Sequence, residues 1–325
     1  ATLVLPLLGW WLATTNGLTP AAAVYLGLFI MMALMWLFAL VDEFIPPLIV
    51  VVAILFIELV PPQVALHGFY SRAFLLLLGV YGLSALMISS GLAYRCMLRL
   101  LLRLPDRPFW HRFAMTAFGF VLSVIMPSAN ARMSLMLPLH QEMDASLAPA
   151  ARSPEATALM LATFAGGTLF APLLLTAKSS NLAAFAMLPP QVREEFQGAN
   201  WLVAAAVVAL GLLGFHLWAM GRRWLPSPAR TLPRQRLVCQ LVQLGPLSMP
   251  EWVAAIAFVL FLAGAFLPQW HQSQLAWLSG LILISLLTLG MLGKQAFRSD
   301  MDWPMIFFLF SLDGITEAIG YLGLD

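Results

Sequence analysis

Apolar runs long enough to cross a bilayer alternate along this chain with short polar links. Ala21–Val41, Ala73–Ala93 and Trp201–Met220 are clear spans, because a helix needs about 20 mostly apolar residues to cross a hydrocarbon core of ~30 Å. Leu3–Ala13, Leu48–Val60, Trp252–Phe266, Leu275–Leu292 and Trp303–Leu324 predict further helices. Ala156–Leu188 is too long for one span, and Gly166-Gly167-Thr168, Pro172 and Thr176-Ala177-Lys178-Ser179-Ser180-Asn181 interrupt it, which predicts a broken helix. Residues 225–250 are rich in Pro and Arg with no run able to cross, and read as a cytoplasmic linker.

The most informative stretch is 109–145. An apolar run from Phe113 to Met126 is short for a span and stops at Pro127-Ser128-Ala129-Asn130-Ala131-Arg132. A second short run, Met133 to Leu139, leads back to polar sequence, and both outer flanks look aqueous. The pattern predicts a re-entrant helical hairpin turning at Ser128–Ala131. One kinked helix over Phe113–Leu139 is the alternative. A turn at that depth leaves backbone groups unpaired, so it must be buried in protein or line a water-filled cavity.

Composition sets the class. Of 325 residues, 61% are hydrophobic and only 10% charged, against about 25% charged in soluble domains. The fold class is therefore an all-α polytopic membrane protein, with no room for a soluble catalytic domain. Cys96 and Cys239 sit near basic segments and have no metal-ligand neighbours, so neither a disulfide framework nor a metal site is expected. Ala1–Leu12 lacks the basic start and cleavage site of a signal peptide. Threading the spans alternately, with Arg95–Arg112 in the cytoplasm, places thirteen of the seventeen Lys and Arg inside, two outside (Arg72, Arg193) and two within the membrane. That asymmetry follows the positive-inside rule. The hairpin then enters from the cytoplasm.

An internal repeat is visible. Phe74–Ala93 aligns with Ile306–Asp325 at an offset of 232 residues, matching Gly82 with Gly314, Gly91 with Gly323 and Leu92 with Leu324. The two copies thread in opposite senses, as in an inverted-topology repeat. A hairpin and a broken helix follow the first copy, whereas the sequence in hand stops at Asp325 after the second. Either the chain continues or a second half-site is missing.

Two cations stand at membrane depth, Arg132 in the hairpin and Lys178 in the broken helix. An intramembrane charge is costly and marks a site by default. Ser128, Asn130, Arg132, Thr176, Lys178, Ser180 and Asn181 form the candidate cavity, and its two fixed cations argue for a small anionic substrate held by charge-assisted hydrogen bonds. Asp42-Glu43 reads equally as a functional acidic pair or a solvated turn. Asp313 and Glu317 share a helical face and could hold a proton. A serine hydrolase built on Ser84 with His216 or His271 lacks a supporting constellation, with no HExxH or GxSxG pattern. No catalytic residue is expected.

Trp36–Leu104, the hairpin segment MPSANARMSLMLPL, the GGT…KSSN segment and MDWPMIFFLF together resemble the divalent anion/sodium symporter (DASS) family. The resemblance implies a homodimer in the inner (cytoplasmic) membrane, with no nucleic-acid partner. It also implies elevator-type alternating access and import of di- or tricarboxylates or sulfate, usually with sodium. On that pattern residues 1–108 are scaffold helices, 109–224 half of a transport domain (hairpin 109–145, broken helix 156–188, span 201–220), 225–250 the linker and 251–325 the start of the second repeat. Ser128, Asn130, Gly167 and Thr168 are then the ion-binding candidates, and Na+ or H+ the coupling ion. The chain departs from the family's Ser-Asn-Thr hairpin tip, having Ser128-Ala129-Asn130, and Arg132 and Lys178 are extra. A cation beside a sodium site repels sodium by ~4 kcal/mol at about 4 Å with an effective dielectric near 20, so loss of at least one sodium site is expected. The alternative function is a transporter-derived subunit that no longer transports.

Overall fold

A computed structural model describes residues 11, 19–126, 128–145, 152–178, 181, 184, 185, 188, 192, 196, 199–222, 234–266 and 272–324, which are helices and turns with no strand among them. The first segment expected, Leu3–Ala13, lies outside these residues apart from Trp11. Helices α1 (Pro20–Leu37) and α2 (Ile45–Phe56) are joined by an exposed turn carrying Asp42 and Glu43. The short α3 (Pro62–Ala65) and α4 (His67–Tyr70) lead into α5 (Arg72–Ser89) and α6 (Leu92–Arg103). The middle of the chain holds α7 (Pro108–Ile125), α8 (Ala129–Ala145), α9 (Arg152–Phe164) and α10 (Ala199–Arg222). Beyond it come α11 (Arg234–Gln243), α12 (Met249–Phe266), α13 (Gln272–Thr288), α14 (Lys294–Ser299) and α15 (Trp303–Tyr321). Among the described residues, four stretches are long and apolar enough to cross a membrane: Pro20–Leu37, Arg72–Ser89, Glu155–Leu173 and Asn200–Ala219.

The offset of 232 residues recurs in the helix ends. It relates the end of α2 (Phe56) to that of α13 (Thr288), the start of α3 (Pro62) to that of α14 (Lys294), and the end of α5 (Ser89) to that of α15 (Tyr321). The caps repeat as well. After α2 the Leu59 N–H donates to Ile54 O, and after α13 the Met291 N–H donates to Leu286 O. This six-to-one bond closes a helix whose next residue turns left-handed. Glu58 (φ 52°) and Gly290 (φ 68°) are those residues, and Gly91 (φ 79°) and Gly323 (φ 66°) do the same after α5 and α15. The second copy thus has glycine where the first strains a glutamate.

Two compact units form, one from residues 1–77, 182–190 and 302–325, the other from 78–181 and 191–301. In the first, Val50, Val51 and Ile54 of α2 share a core with Leu312, Ile315 and Ala318 of α15. Tyr25 of α1 donates to Ile315 O at 2.6 Å. Gly314 lies so close to Ala65 that a Cβ would meet its carbonyl oxygen at 2.0 Å. In the second, α5 packs on α13 with Gly79 against Ser279 and Gly82 against Leu283. Since α5 corresponds to α15 and α13 to α2, each unit contains the same helix pair with the copies exchanged. Gly82 and Gly314 match under the offset and both admit a close neighbour, Gly82 facing Leu283 of α13 and Gly314 facing Ala65 of α3.

Arg95 departs from the basic face that its spacing with Arg99, Arg103 and Arg107 suggests: it is buried, while the other three are exposed. Its Nε and Nη2 donate to the Glu251 carboxylate at 2.5 and 3.0 Å. Its remaining donors reach the carbonyls of Leu244, Gly245 and Pro246. Glu251 also accepts from the Ser248 N–H at 2.7 Å, so one pair fastens the α11–α12 turn to α6. Breaking such a buried pair from one side costs about 3–5 kcal/mol. Glu251→Ala should therefore lower the melting temperature of the detergent-solubilised protein sharply, and Arg95→Met/Glu251→Met by less than the two single losses combined. Glu58→Gly, by contrast, should raise it, since relief of a left-handed non-glycine residue is worth about 1–2 kcal/mol.

Candidate substrate and ion site

The expected hairpin forms. Met126 precedes Pro127, which disfavours helical geometry in the residue before it, and Met126 is extended (φ −116°, ψ 102°) where α7 ends. Helix α8 restarts at Ala129, with the Ser128 hydroxyl accepting the Ala131 N–H at 3.4 Å as its cap. The break is therefore shorter than Ser128–Ala131, and Asn130 and Arg132 belong to the first turn of α8. Contacts with α9 and its continuation set the direction of each limb. Arg112, Thr116 and Gly119 of α7 meet Glu155, Ala162 and Gly166 in turn, so those segments run the same way. His140 of α8 meets Thr163, whereas Met133 and Arg132 meet Gly167, so α8 runs the other way. The two limbs are antiparallel.

The broken helix also forms. After α9 the backbone widens to a π-helical turn, Ala165–Leu169, then tightens to 3-10 turns at Ala171–Leu173 and Leu175–Ala177, with Leu174 and Lys178 extended. Such wide turns leave carbonyls without their helical partners. Glycine is required here: a Cβ on Gly166 would lie 2.6 Å from Met115 O, and one on Gly119 would lie 2.4 Å from the Gly166 carbonyl carbon. Two backbones touch at this point. Asn181 closes the far end, its amide donating to Leu174 O at 3.0 Å and Ala171 O at 3.3 Å.

Arg132 ties the irregular pieces together. Its side chain is fully buried. Nε donates to Gly167 O at 2.7 Å, and Nη1 donates to Ala177 O at 2.8 Å and to Met126 O. The three acceptors are main-chain carbonyls from the end of α7, the π turn and the second 3-10 turn. No carboxylate pairs with the guanidinium among the described residues, and its Nη2 is buried without a hydrogen-bond partner there. A guanidinium carries its charge at any ordinary pH.

The sequence-predicted residues separate accordingly. Arg132 and the Gly167 carbonyl meet directly. Lys178 adjoins the Ala177 carbonyl on the same cluster, half-buried and in no ion pair among the described residues. Ser128 caps α8, Thr168 donates back to Phe164 O at 2.7 Å, and Asn181 caps its own broken segment. The side chains of Asn130 and Thr176 and the whole of Ser180 lie outside the described residues. Sequence reasoning missed Gly119, whose signal was a lone glycine in the first limb, and it missed the Met126 and Ala177 carbonyls, which carry no side-chain signal. His216 turns its Nε2 to the Thr116 hydroxyl at 3.2 Å, and His271 lies outside the described residues. Asp313 is held by His67 Nδ1 at 3.2 Å. An apolar cleft of about 250 Å³ beside α10, lined by Leu169, Pro172, Trp201 and Val208 among others, has nothing to hold an anion.

A helical hairpin and a broken helix meeting at a buried cation are parts from which broken-helix membrane transporters build their sites. The comparison with known families agrees: the sodium:sulfate symporter transmembrane region matches residues 1–323, and the chain belongs to that family. It is a family of transporters, not of enzymes, and sodium is the coupling ion named in its description. A protein of Cupriavidus necator described as a membrane protein is 24% identical over 244 residues, 74% of this chain and 47% of that protein. The chain spans about half the length of that curated relative.

Gly119→Val and Gly166→Val each drive a side chain into backbone, an overpacking cost of at least about 1–3 kcal/mol. Both variants should melt earlier than wild type in detergent and lose hydrogen-exchange protection over residues 112–119 and 162–169. Gly211→Val on α10, where no atom lies within 4 Å of the added Cβ, should do neither.

Proposed function

We propose that this chain belongs to a secondary transporter that moves a small divalent anion, sulfate or a di- or tricarboxylate, across the inner membrane. In this reading Arg132 and Lys178 bind the anion, with Ser128, Asn130, Thr176, Ser180 and Asn181 around it. The hairpin and broken helix within 109–224 move as part of a transport half, elevator fashion, against scaffold helices from 1–108 and 251–325 in a homodimer. One observation carries the reading: a buried arginine has no carboxylate partner among the described residues, spends Nε and Nη1 on carbonyls, and keeps Nη2 for an acceptor. A divalent oxyanion supplies the missing charge, and donation from a charged group to it is worth about 1.5–3 kcal/mol per bond.

Purified protein in liposomes should take up labelled sulfate or a four-carbon dicarboxylate saturably, with each divalent anion competing and neutral amino acids not competing. Lys178→Gln removes one charge without entering the carbonyl cluster. It should raise the KM for the transported anion about tenfold or more, at one decade per 1.4 kcal/mol, while the melting temperature stays within a degree or two. Unchanged KM would remove Lys178 from the site, and no saturable uptake of any divalent anion would refute the transport reading.

A further inference from the structure

We infer that Arg132 is a tethered cation standing where a coupling ion would bind, so that this half-site does not take sodium. The fit of sodium to the residues present is decided by the three carbonyls. Met126 O and Ala177 O come from two separate breaks in regular helix and converge on Nη1, while Gly167 O, from a third break, meets Nε. Freed main-chain carbonyls at helix breaks are the ligands with which broken-helix transporters hold sodium. Here the place between Met126 O and Ala177 O is filled by Nη1 of a side chain with no exposed surface, and Nε takes the third carbonyl. A sodium ion sharing the cluster would lose these carbonyls as ligands. It would also sit about 4 Å from a fixed positive charge, a repulsion that alone lowers its affinity about a thousandfold.

The residues therefore do not fit sodium at this place, although the family's description names it. The guanidinium does a cation's structural work: it neutralises the carbonyl dipoles, locks the end of α7 to the π and 3-10 turns, and supplies positive charge on its remaining edge. Unlike a diffusing ion it cannot leave, so this half-site is assembled at any sodium concentration. Movement of the anion through it then draws no energy from sodium bound here. The inference builds on the reading of this region as the transport site, yet its test reads cation binding without flux, and the two can fail separately.

Hydrogen exchange by mass spectrometry of the full chain in detergent, in sodium chloride against choline chloride at equal ionic strength, provides that test. In wild type, sodium should leave residues 122–132 and 165–178 unchanged. In Arg132→Ser, which empties the cluster but keeps its carbonyls, those segments should exchange at least tenfold faster in choline. Sodium, or millimolar guanidinium as a chemical replacement, should restore most of the protection. Arg132→Lys, which keeps a charge in the cavity, should not respond to sodium. Sodium-specific protection of these segments in wild type would overturn the inference, as would an Arg132→Ser protein indifferent to both cations. Folding of Arg132→Ser in sodium but not in choline would support it. If that variant folds in neither salt, the wild-type comparison decides alone. Absent anion flux with the expected exchange pattern would reject the transport reading and leave this one standing.

Discussion

Three main-chain carbonyls at breaks in regular helix, and one buried guanidinium that answers all of them, form the interaction on which this region depends. A hairpin end, a π turn and a 3-10 turn would each be costly on its own, because a bared carbonyl in an apolar interior gives up its water for nothing. Brought together, they become ligands. The arginine in turn is tolerable at that depth because the carbonyls replace its hydration. Each side of the arrangement makes the other affordable, and neither Arg132 nor the breaks would survive alone. The glycines follow from it: Gly119 and Gly166 let α7 and the π turn touch, which brings Gly167 O within reach of α8.

The repeat is carried by backbone geometry. Helix ends, left-handed caps and the six-to-one bonds recur at a spacing of 232 residues, down to the pairing of α2 with α15 and of α13 with α5. Two segments that diverge almost everywhere in sequence keep the features that decide backbone geometry: where a helix stops, which way it turns, and where a side chain must be absent. Asp313 shows what is free to change. It corresponds to Tyr81 and is held by His67.

Much of this was legible in the residues themselves. Apolar run length marked the long apolar helices to within about a turn but not helix Arg234–Gln243 inside the segment read as a linker; Pro127 placed the hairpin break, and Gly166-Gly167 with Pro172 located the broken helix. Charge at depth singled out Arg132. The roles of the polar neighbours were less legible. Ser128, Thr168 and Asn181 read as ligands by type, yet they cap or back-bond their own segments, since short polar side chains compete for nearby backbone groups before distant ones. The burial of Arg95 was not legible for a related reason: spacing says which residues share a helical face, not whether another segment covers it.

The sequence by itself determined the class of the protein, its helices, its breaks and the repeat, because those follow from local chemistry: hydrophobic run length, missing donors at proline and missing side chains at glycine. Only the tertiary structure decided what Arg132 does. Its partners are backbone oxygens at Met126, Gly167 and Ala177, which no side chain announces and which lie up to 45 positions away along the chain. Carbonyls are present at every residue, so their convergence on one guanidinium is a property of the fold and cannot be read from composition or spacing.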